Sequence, residues 1–212
     1  VSRASPTGHQ TIFPSWTVSY PQQTTVTCYL DSGDQGTIIT LKRDGSSVAT
    51  GIQPSETATL SPGNYLYTCE YPGTQNYSAL TLDSDTLTVN KGTPVLKLYL
   101  NSVEGNNSIT YPTQANATAT LDISDEFYLY RNSKLVASGT NKINETVLLG
   151  VGTYNYTAYY PGSNYYYSVT RTYWLTVNKG TITIHLALNG TEGDRTYPSG
   201  SAINATGWKS IE

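Results

Sequence analysis

Apolar and polar residues alternate along much of this 212-residue chain, which is the pattern of β-strands with one buried face. Residues 25–30 and 64–71 show the alternation most clearly. Asp44-Gly45 and other glycine turns separate the strands, and an irregular N-terminal stretch leads into a first strand predicted over residues 12–19. No helical spacing of apolar residues is present, so the pattern predicts an all-β protein.

The segment at residues 87–93, Leu-Thr-Val-Asn-Lys-Gly-Thr, returns unchanged at residues 175–181, 88 positions later. Such a period indicates tandem modules, each with about seven short strands, as in an immunoglobulin-like β-sandwich. We expect sandwiches at residues 1–90 and 91–178 and an incomplete third repeat at residues 179–212. The linker between sandwiches is only Asn-Lys-Gly, which predicts stiff, end-to-end modules.

The third repeat begins with an alternating strand at Thr181 and reaches only the first strands of a sandwich. A piece of this size cannot bury its own apolar face. We expect either that the polypeptide continues or that strands of another chain complete the fold.

The two cysteines, Cys28 and Cys69, fall on inward positions of the second and sixth predicted strands of the first module. Those strands belong to opposite sheets of an immunoglobulin-like sandwich, so an inter-sheet disulfide is expected if the chain lies outside the cytoplasm. Two buried thiols are the alternative in a reducing compartment. The second module carries Ala119 and Ala158 instead, which is expected if the two side chains meet across the core. Tyr67 is expected to form a tyrosine corner.

Residues 61–77, with the pattern Ser-Pro-Gly-Asn-Tyr-x-Tyr-x-Cys-x-Tyr-Pro-Gly-x-x-Asn-Tyr, are followed by Leu-Thr-Val-Asn-Lys at residues 87–91. The second copy of this block covers residues 150–165, followed by residues 175–179. About half of each module therefore resembles the bacterial and archaeal immunoglobulin-like repeat domains of cell-surface proteins. The resemblance implies tandem stalks on surface layers, adhesins and filaments, and an extracellular or cell-surface location.

Composition and charge exclude several other classes of protein. Only 13% of the residues are charged, the net charge is −3, and no Lys/Arg cluster is available to bind phosphates, so no nucleic-acid partner is expected. No apolar run approaches the roughly 20 residues that span a bilayer, so no direct membrane insertion is expected in this segment. The expected partners are neighbouring copies of the chain or other surface proteins, with glycans as a further class.

The sequence shows no catalytic apparatus. His9 and His185 are the two histidines, and His185 is expected to point outward from its strand without an acid–base partner. No Cys/His cluster suits zinc, no calcium loop has the EF-hand spacing, and no glycine-rich phosphate loop opens a helix. We therefore predict no catalytic residues, no metal site and no cofactor.

Seven Asn-x-Ser/Thr sequons are candidates for glycosylation. Strand parity places none of them on a core position, although polar asparagines would lie outside in any case. The seven are Asn76, Asn106, Asn116, Asn144, Asn155, Asn189 and Asn204.

A group of tyrosines in the second module cannot all face one core, and they are candidates for contact with sugars or a neighbouring subunit. Cross-strand aromatic pairing is the simpler alternative. The candidates are Tyr159, Tyr165, Tyr166, Tyr167 and Tyr173.

These observations favour a non-enzymatic extracellular structural protein, such as a stalk, surface-layer or filament component. An adhesin or carbohydrate-binding module that uses the tyrosine-rich surface is the first alternative. The second is a filament subunit that polymerises by strand donation through the residues from Thr181 onward. A glycan array would test the first alternative, and concentration-dependent assembly would test the second.

Overall fold

The computed structural model describes residues 2–211, of which residues 2–210 include their side chains. Within this range the chain forms nineteen β-strands and no helix. It divides into two compact units, Val1–Pro94 with Pro161–Val169, and Val95–Tyr160 with Thr170–Glu212. We use "first module" for strands β1–β8, "second module" for β9–β16 and "third repeat" for β17–β19.

The first module is a sandwich of a three-stranded and a five-stranded sheet. The strand orders are β1-β3-β6 and β2-β8-β7-β4-β5. The strands are β1 (Thr7–Phe13), β2 (Thr17–Ser19), β3 (Thr24–Ser32), β4 (Ile39–Arg43), β5 (Ser46–Gly51), β6 (Ser55–Ala58), β7 (Gly63–Tyr71) and β8 (Leu80–Asn90).

The first strand differs from the prediction of one continuous strand over residues 12–19. The structure has two strands, because β1 ends at Phe13 and pairs antiparallel with β3, whereas β2 pairs parallel with β8 in the other sheet. Pro14 lies between them and has no N–H to offer to a ladder, so the chain can leave one sheet there and join the other.

The second module repeats this topology strand for strand. Its sheets have the orders β14-β11-β9 and β10-β16-β15-β12-β13. The strands are β9 (Leu96–Leu100), β10 (Asn107–Thr110), β11 (Ala115–Leu121), β12 (Phe127–Arg131), β13 (Lys134–Gly139), β14 (Lys142–Val147), β15 (Gly152–Tyr160) and β16 (Val169–Asn178). The protein is therefore all-β, with tandem immunoglobulin-like β-sandwiches.

Strand registers show which positions of the two modules correspond. Leu41 lies opposite Cys69 in the first module, and Leu129 lies opposite Ala158 in the second. On the other sheet, β3 pairs with β6 as β11 pairs with β14. The cysteine positions therefore correspond to Ala119 and Ala158.

All four side chains at these positions are fully buried. Cys28 and Cys69 form a disulfide with a Cα–Cα distance of 5.9 Å, which joins β3 of one sheet to β7 of the other. In the second module, packing alone joins the two sheets at this point.

The third repeat is a single sheet in the order β18-β17-β19, with β17 (Ile182–Leu188), β18 (Thr191–Glu192) and β19 (Ala205–Ile211). Ile184 and Leu186 correspond to Leu96 and Leu98 of the second module. The leucines of the second module are 1% and 0% exposed, whereas Ile184 and Leu186 are 83% and 61% exposed. One sheet alone leaves this apolar face open to solvent.

The correspondence between the cysteine and alanine pairs leads to a test by substitution. The double variant Ala119→Cys/Ala158→Cys should form a second disulfide, because the backbone there repeats the one that Cys28 and Cys69 bridge. It should raise the free energy of unfolding of the second module by up to about 4 kcal/mol, the entropic effect of closing a loop of this length. Intact mass after thiol alkylation would detect the bond, and denaturant unfolding would measure its effect.

The single variant Ala119→Cys is the control, because it changes the packing without offering a partner thiol. Two freely alkylating thiols in the folded double variant would contradict the proposed equivalence of the modules.

Candidate functional site

A polar bridge joins the two sheets in each complete module. In the second module, Arg131 Nη1 donates to Glu145 Oε1 at 2.7 Å, and the Tyr156 hydroxyl donates to Glu145 Oε2 at 2.9 Å. Arg131 and Tyr156 belong to the five-stranded sheet, and Glu145 belongs to the three-stranded sheet. The bridge therefore holds the sheets together through a charged group that is largely shielded from water.

The first module has the same bridge with the same residue types. Arg43 Nη1 donates to Glu56 Oε1 at 2.5 Å, and the Tyr67 hydroxyl donates to Glu56 Oε2 at 2.6 Å. Burial is the main cause of a raised pKa for the Tyr67 hydroxyl, and the hydrogen bond to Glu56 adds to it. Because the bridge recurs at equivalent positions, a structural role explains it without any chemistry on a substrate.

The predicted tyrosine corner forms with a different tyrosine. The Tyr65 hydroxyl donates to the Ser61 carbonyl at 2.8 Å, and the Tyr154 hydroxyl donates to the Gly150 carbonyl at 3.0 Å. These are bonds to main chain a few residues upstream, as in a tyrosine corner. The prediction for Tyr67 is wrong because its ring points inward, where its hydroxyl meets Glu56 rather than a main-chain carbonyl.

His185 has partners that the sequence did not indicate. Its Nδ1 lies 2.9 Å from Glu192 Oε1, its Nε2 lies 3.0 Å from Ser210 Oγ, and its ring stacks on Trp208 with centroids 5.1 Å apart. The prediction that it lacks an acid–base partner is therefore wrong. Its partners lie on neighbouring strands, and Ser210 is 25 residues away in sequence.

A carboxylate, an imidazole and a hydroxyl in a line are also the elements of a hydrolase triad. The first module contains the same pairing without the serine. His9 Nδ1 lies 2.9 Å from Asp31 Oδ1, and its ring stacks on Tyr29 with centroids 4.9 Å apart. The recurrence identifies a stacked cross-strand pair with a carboxylate partner, an arrangement that stabilises a sheet.

The five tyrosines proposed as contact residues belong to different compact units and have different surroundings. Tyr165 and Tyr166 pack on Tyr20 in the first compact unit, with ring centroids 5.0 Å and 5.4 Å away. Tyr159 lies on the outer face of β15 opposite Tyr128. The remaining two are Tyr167, which is half-exposed, and Tyr173, on β16.

The glycine of the repeated linker is held closely within the first compact unit. The Gly92 N–H donates to the Tyr165 carbonyl, and the Gly92 carbonyl accepts from the Tyr167 N–H, both at 2.9 Å. A Cβ atom at Gly92 would lie 2.3 Å from the Tyr20 carbonyl oxygen, closer than any real contact. Lys91 Nζ donates to the Ser163 carbonyl at 2.7 Å. These contacts fix the Asn-Lys-Gly linker and explain why glycine is needed there.

None of the seven sequon asparagines is buried, but their side-chain amides differ. The Asn76 Nδ2 lies 3.3 Å from Asp34 Oδ1, and the Asn116 Nδ2 donates to Thr146 Oγ1 at 2.9 Å. The Asn106 Oδ1 accepts from the Trp174 N–H at 2.9 Å, which leaves its Nδ2 unpaired among the residues described. The side-chain amides of Asn144 and Asn155 also have no hydrogen-bond partner within residues 2–210.

Apart from Tyr159, sequence reasoning missed an aromatic surface on the outer face of the second module's five-stranded sheet. Tyr128, Tyr130, Tyr159 and Trp174 point outward there, between the inward residues of β12, β15 and β16. We call these four side chains the aromatic face. The signal was available, because strand alternation gives all four the parity opposite to the core.

Two negative findings hold for the part of the chain that the structure describes. No group of three or more His, Cys, Asp or Glu side chains is placed to hold a metal ion there. None of the described residues forms a helix long and apolar enough to cross a membrane.

The inter-sheet bridge gives a prediction that depends on pH. Burial raises the pKa of Tyr156 to about 12, from an ordinary value near 10. A raised pKa means that the hydroxyl stabilises the fold below about pH 10 and loses this effect as the pH rises towards 12. Tyr156→Phe should therefore lower the free energy of unfolding by about 1–3 kcal/mol at pH 8. The difference from wild type should shrink between pH 10 and pH 12.

Urea unfolding of both proteins from pH 8 to pH 11.5 measures this difference. Tyr154→Phe is the matched control, because its hydroxyl contacts a neutral carbonyl in the same module. A Tyr156→Phe effect that is absent at pH 8, or constant up to pH 11.5, would contradict this account of the bridge.

Comparisons with known proteins assign the chain to no family. No family model matches the chain, and no curated protein matches it. Solved structures that align with it include fibronectin(III)-like modules of Clostridium thermocellum CbhA, at 11% identity, over 80% of this chain and 94% of that chain, with a TM-score of 0.33. The human OSCAR ligand-binding domain aligns at 16% identity, over 80% and 98% of the two chains, with a TM-score of 0.33. The chain's own sheet topology is what assigns it to the immunoglobulin-like β-sandwiches.

Proposed function

We propose that this chain is a non-enzymatic extracellular structural protein, a segment of a stalk, surface layer or filament of the bacterial and archaeal immunoglobulin-like repeat type. The observation that carries the proposal is the repetition of one complete sandwich topology in two successive modules. Repeated units of this kind extend a chain without requiring a specific pocket.

Several features of the modules support a load-bearing role. The inter-sheet bridge and the hydrophobic core recur at equivalent positions, although the surface residues differ. The linker at Gly92 is tied down by main-chain hydrogen bonds rather than left as a free hinge.

Two observations support an extracellular location. The Cys28–Cys69 disulfide suits an oxidising compartment. All seven sequons lie outside the cores, where a glycan could be carried without disrupting the fold. The two histidines, His9 and His185, lie in similar stacked pairs, each beside a carboxylate.

Surface labelling of source cells tests this proposal. Antibodies raised against the folded chain should label intact cells, and native material should show no alkylatable thiol until it is reduced. Labelling that requires permeabilised cells, together with two thiols that alkylate without reductant, would refute the extracellular role.

The open face of the third repeat favours polymerisation as a second candidate function. Ile184 and Leu186 are far more exposed than their equivalents in the second module, where a five-stranded sheet covers them. In this candidate, strands of a second copy cover the same face and complete a sandwich.

Analytical ultracentrifugation separates a self-assembling chain from a simple stalk. Wild type should associate as its concentration rises, and Leu186→Asp, which places a charge on the apolar face, should remain monomeric. Thr206→Asp is the control, since it lies on the opposite face of the same sheet and should associate like wild type. A wild-type chain that stays monomeric at every concentration would exclude this second function.

A further inference from the structure

The aromatic face is specific to the second module. Tyr128, Tyr130 and Tyr159 replace Thr40, Lys42 and Glu70, and Trp174 replaces Thr86, at positions that the strand registers make equivalent. Core packing does not require these aromatic rings, because the first module forms the same sheet without them. The presence of the four rings in the second module therefore has to be explained by a role other than folding.

Trp174 is the most exposed ring of the aromatic face, at 49%. The hydroxyls of Thr157 on β15 and Thr172 on β16 lie 2.9 Å apart, so these two residues are opposite each other. The equivalent residues of the first module, Thr68 on β7 and Ser84 on β8, are paired in the same way. Strands β15 and β16 therefore have the register of β7 and β8. In the same register Asn155 lies directly opposite Trp174. Side chains at such positions are nearest neighbours on the sheet surface.

Two sequons therefore lie beside this tryptophan. Asn155 is its cross-strand neighbour on β15, and Asn106 accepts a hydrogen bond from the Trp174 main-chain N–H on the other side. The first module has Leu66 and Ser15 at the equivalent positions, so its outer face has neither the aromatic rings nor the sequons. The aromatic side chains and the glycosylation sequons occur together on one face and are absent together from the other.

We propose that Asn155 carries an N-linked glycan whose first sugars lie on the aromatic face, with Trp174 and Tyr130 as the rings that hold it. Asn106, on the other side of Trp174, is a second attachment site on the same face. The Asn155 amide nitrogen would attack C1 of a sugar on a polyprenyl-phosphate-linked oligosaccharide donor. The C1–O bond to phosphate breaks, the lipid phosphate leaves with the electron pair, and Nδ2 loses one proton as the N–C1 bond forms.

The chemistry of the face matches a neutral sugar. Aromatic rings offer flat apolar surface to the C–H side of a pyranose, while Thr157 and the neighbouring threonines offer hydroxyls. The outward residues within β12, β15 and β16 are uncharged, whereas the first module places Lys42 and Glu70 at two of these positions. The nearest charge is the Glu126 carboxylate just before β12, which raises the pKa of Tyr128 at the edge of the face, away from Trp174. The side-chain amide of Asn155 forms no hydrogen bond within the part of the chain that the structure describes, whereas those of Asn76 and Asn116 do. Only the main-chain N–H of Asn155 is bonded, to Asn132 Oδ1.

This glycan would shield an apolar surface in the second module and stiffen its five-stranded sheet. The inference concerns attachment and packing of a glycan, so it can be tested in a heterologous host, separately from the proposed location of the protein in its own cells.

The test uses the whole chain secreted from a yeast host that attaches high-mannose N-glycans. Peptide mapping should find Asn155 occupied. Enzymatic removal of the glycans should lower the Tm of the second module by an amount on the order of 5 °C, the effect of one aromatic contact in a module of this length. Asn155→Gln should abolish most of that decrease. Asn144→Gln is the matched control, because Asn144 lies on a strand of the other sheet in the same module, and it should leave the decrease intact.

Trp174→Thr tests the ring itself, since Thr86 occupies the same position in the first module without loss of the fold. Deglycosylation should lower the Tm of this variant much less than it lowers the Tm of wild type. The unglycosylated variant, produced in bacteria, should have a Tm close to that of unglycosylated wild type. An unmodified Asn155 beside an occupied Asn144 would overturn the proposal, as would an equal Tm loss in Trp174→Thr.

Two further outcomes would assign the face to another occupant and also overturn the proposal. The first is concentration-dependent dimerisation of the unglycosylated chain that Trp174→Thr abolishes, which would make the face an interface between copies. The second is binding of soluble yeast mannan by the unglycosylated chain that Trp174→Thr abolishes, which would make it a site for external polysaccharide.

Discussion

An alternating strand buries only one face, so an apolar sheet needs a second sheet against it, and this constraint organises the whole chain. The two complete modules meet it by covering a three-stranded sheet with a five-stranded one. The third repeat has strands of the same pattern, but no second sheet covers them within residues 2–211. Ile184 and Leu186 are therefore open to solvent, whereas the equivalent side chains of the second module are buried. The same sequence pattern therefore gives a closed core or an exposed surface, depending on whether a partner sheet is present.

Comparison of the two modules separates what the fold requires from what each module adds. The inter-sheet bridge of arginine, glutamate and tyrosine is common to both, as is the hydrogen bond from Tyr65 or Tyr154 to the main chain. The disulfide is not common to both, since Ala119 and Ala158 fill the same space without a covalent link. Aromatic side chains outside the core differ most, which is consistent with a surface that serves something other than folding.

Strand periodicity and the internal repeat were sufficient to predict the fold and the inward orientation of Cys28 and Cys69. Both predictions depend only on the alternation of residues along single strands. They were not sufficient where a contact joins residues on different strands. His185 meets Glu192 and Ser210, and Tyr67 meets Glu56, only because strand pairing and sheet packing bring them together. A sequence pattern along one strand does not indicate which residues of other strands a side chain will contact.

Most of the aromatic face was missed for a related reason. The five candidate tyrosines were chosen because they cannot all face one core, whereas the aromatic face is assembled from three strands whose registers place its rings together. The split of the first strand near Pro14 was missed because both halves alternate, and alternation does not say which sheet a strand joins.

Amide hydrogen exchange measured by mass spectrometry tests the central claim, that a covering sheet determines the stability of each strand pair. The account predicts strong protection in β9 and β11, whose apolar face is covered, and much faster exchange in β17 and β19, which carry the equivalent residues on a single sheet. Equal protection in the two pairs, in a chain shown to be monomeric, would contradict it.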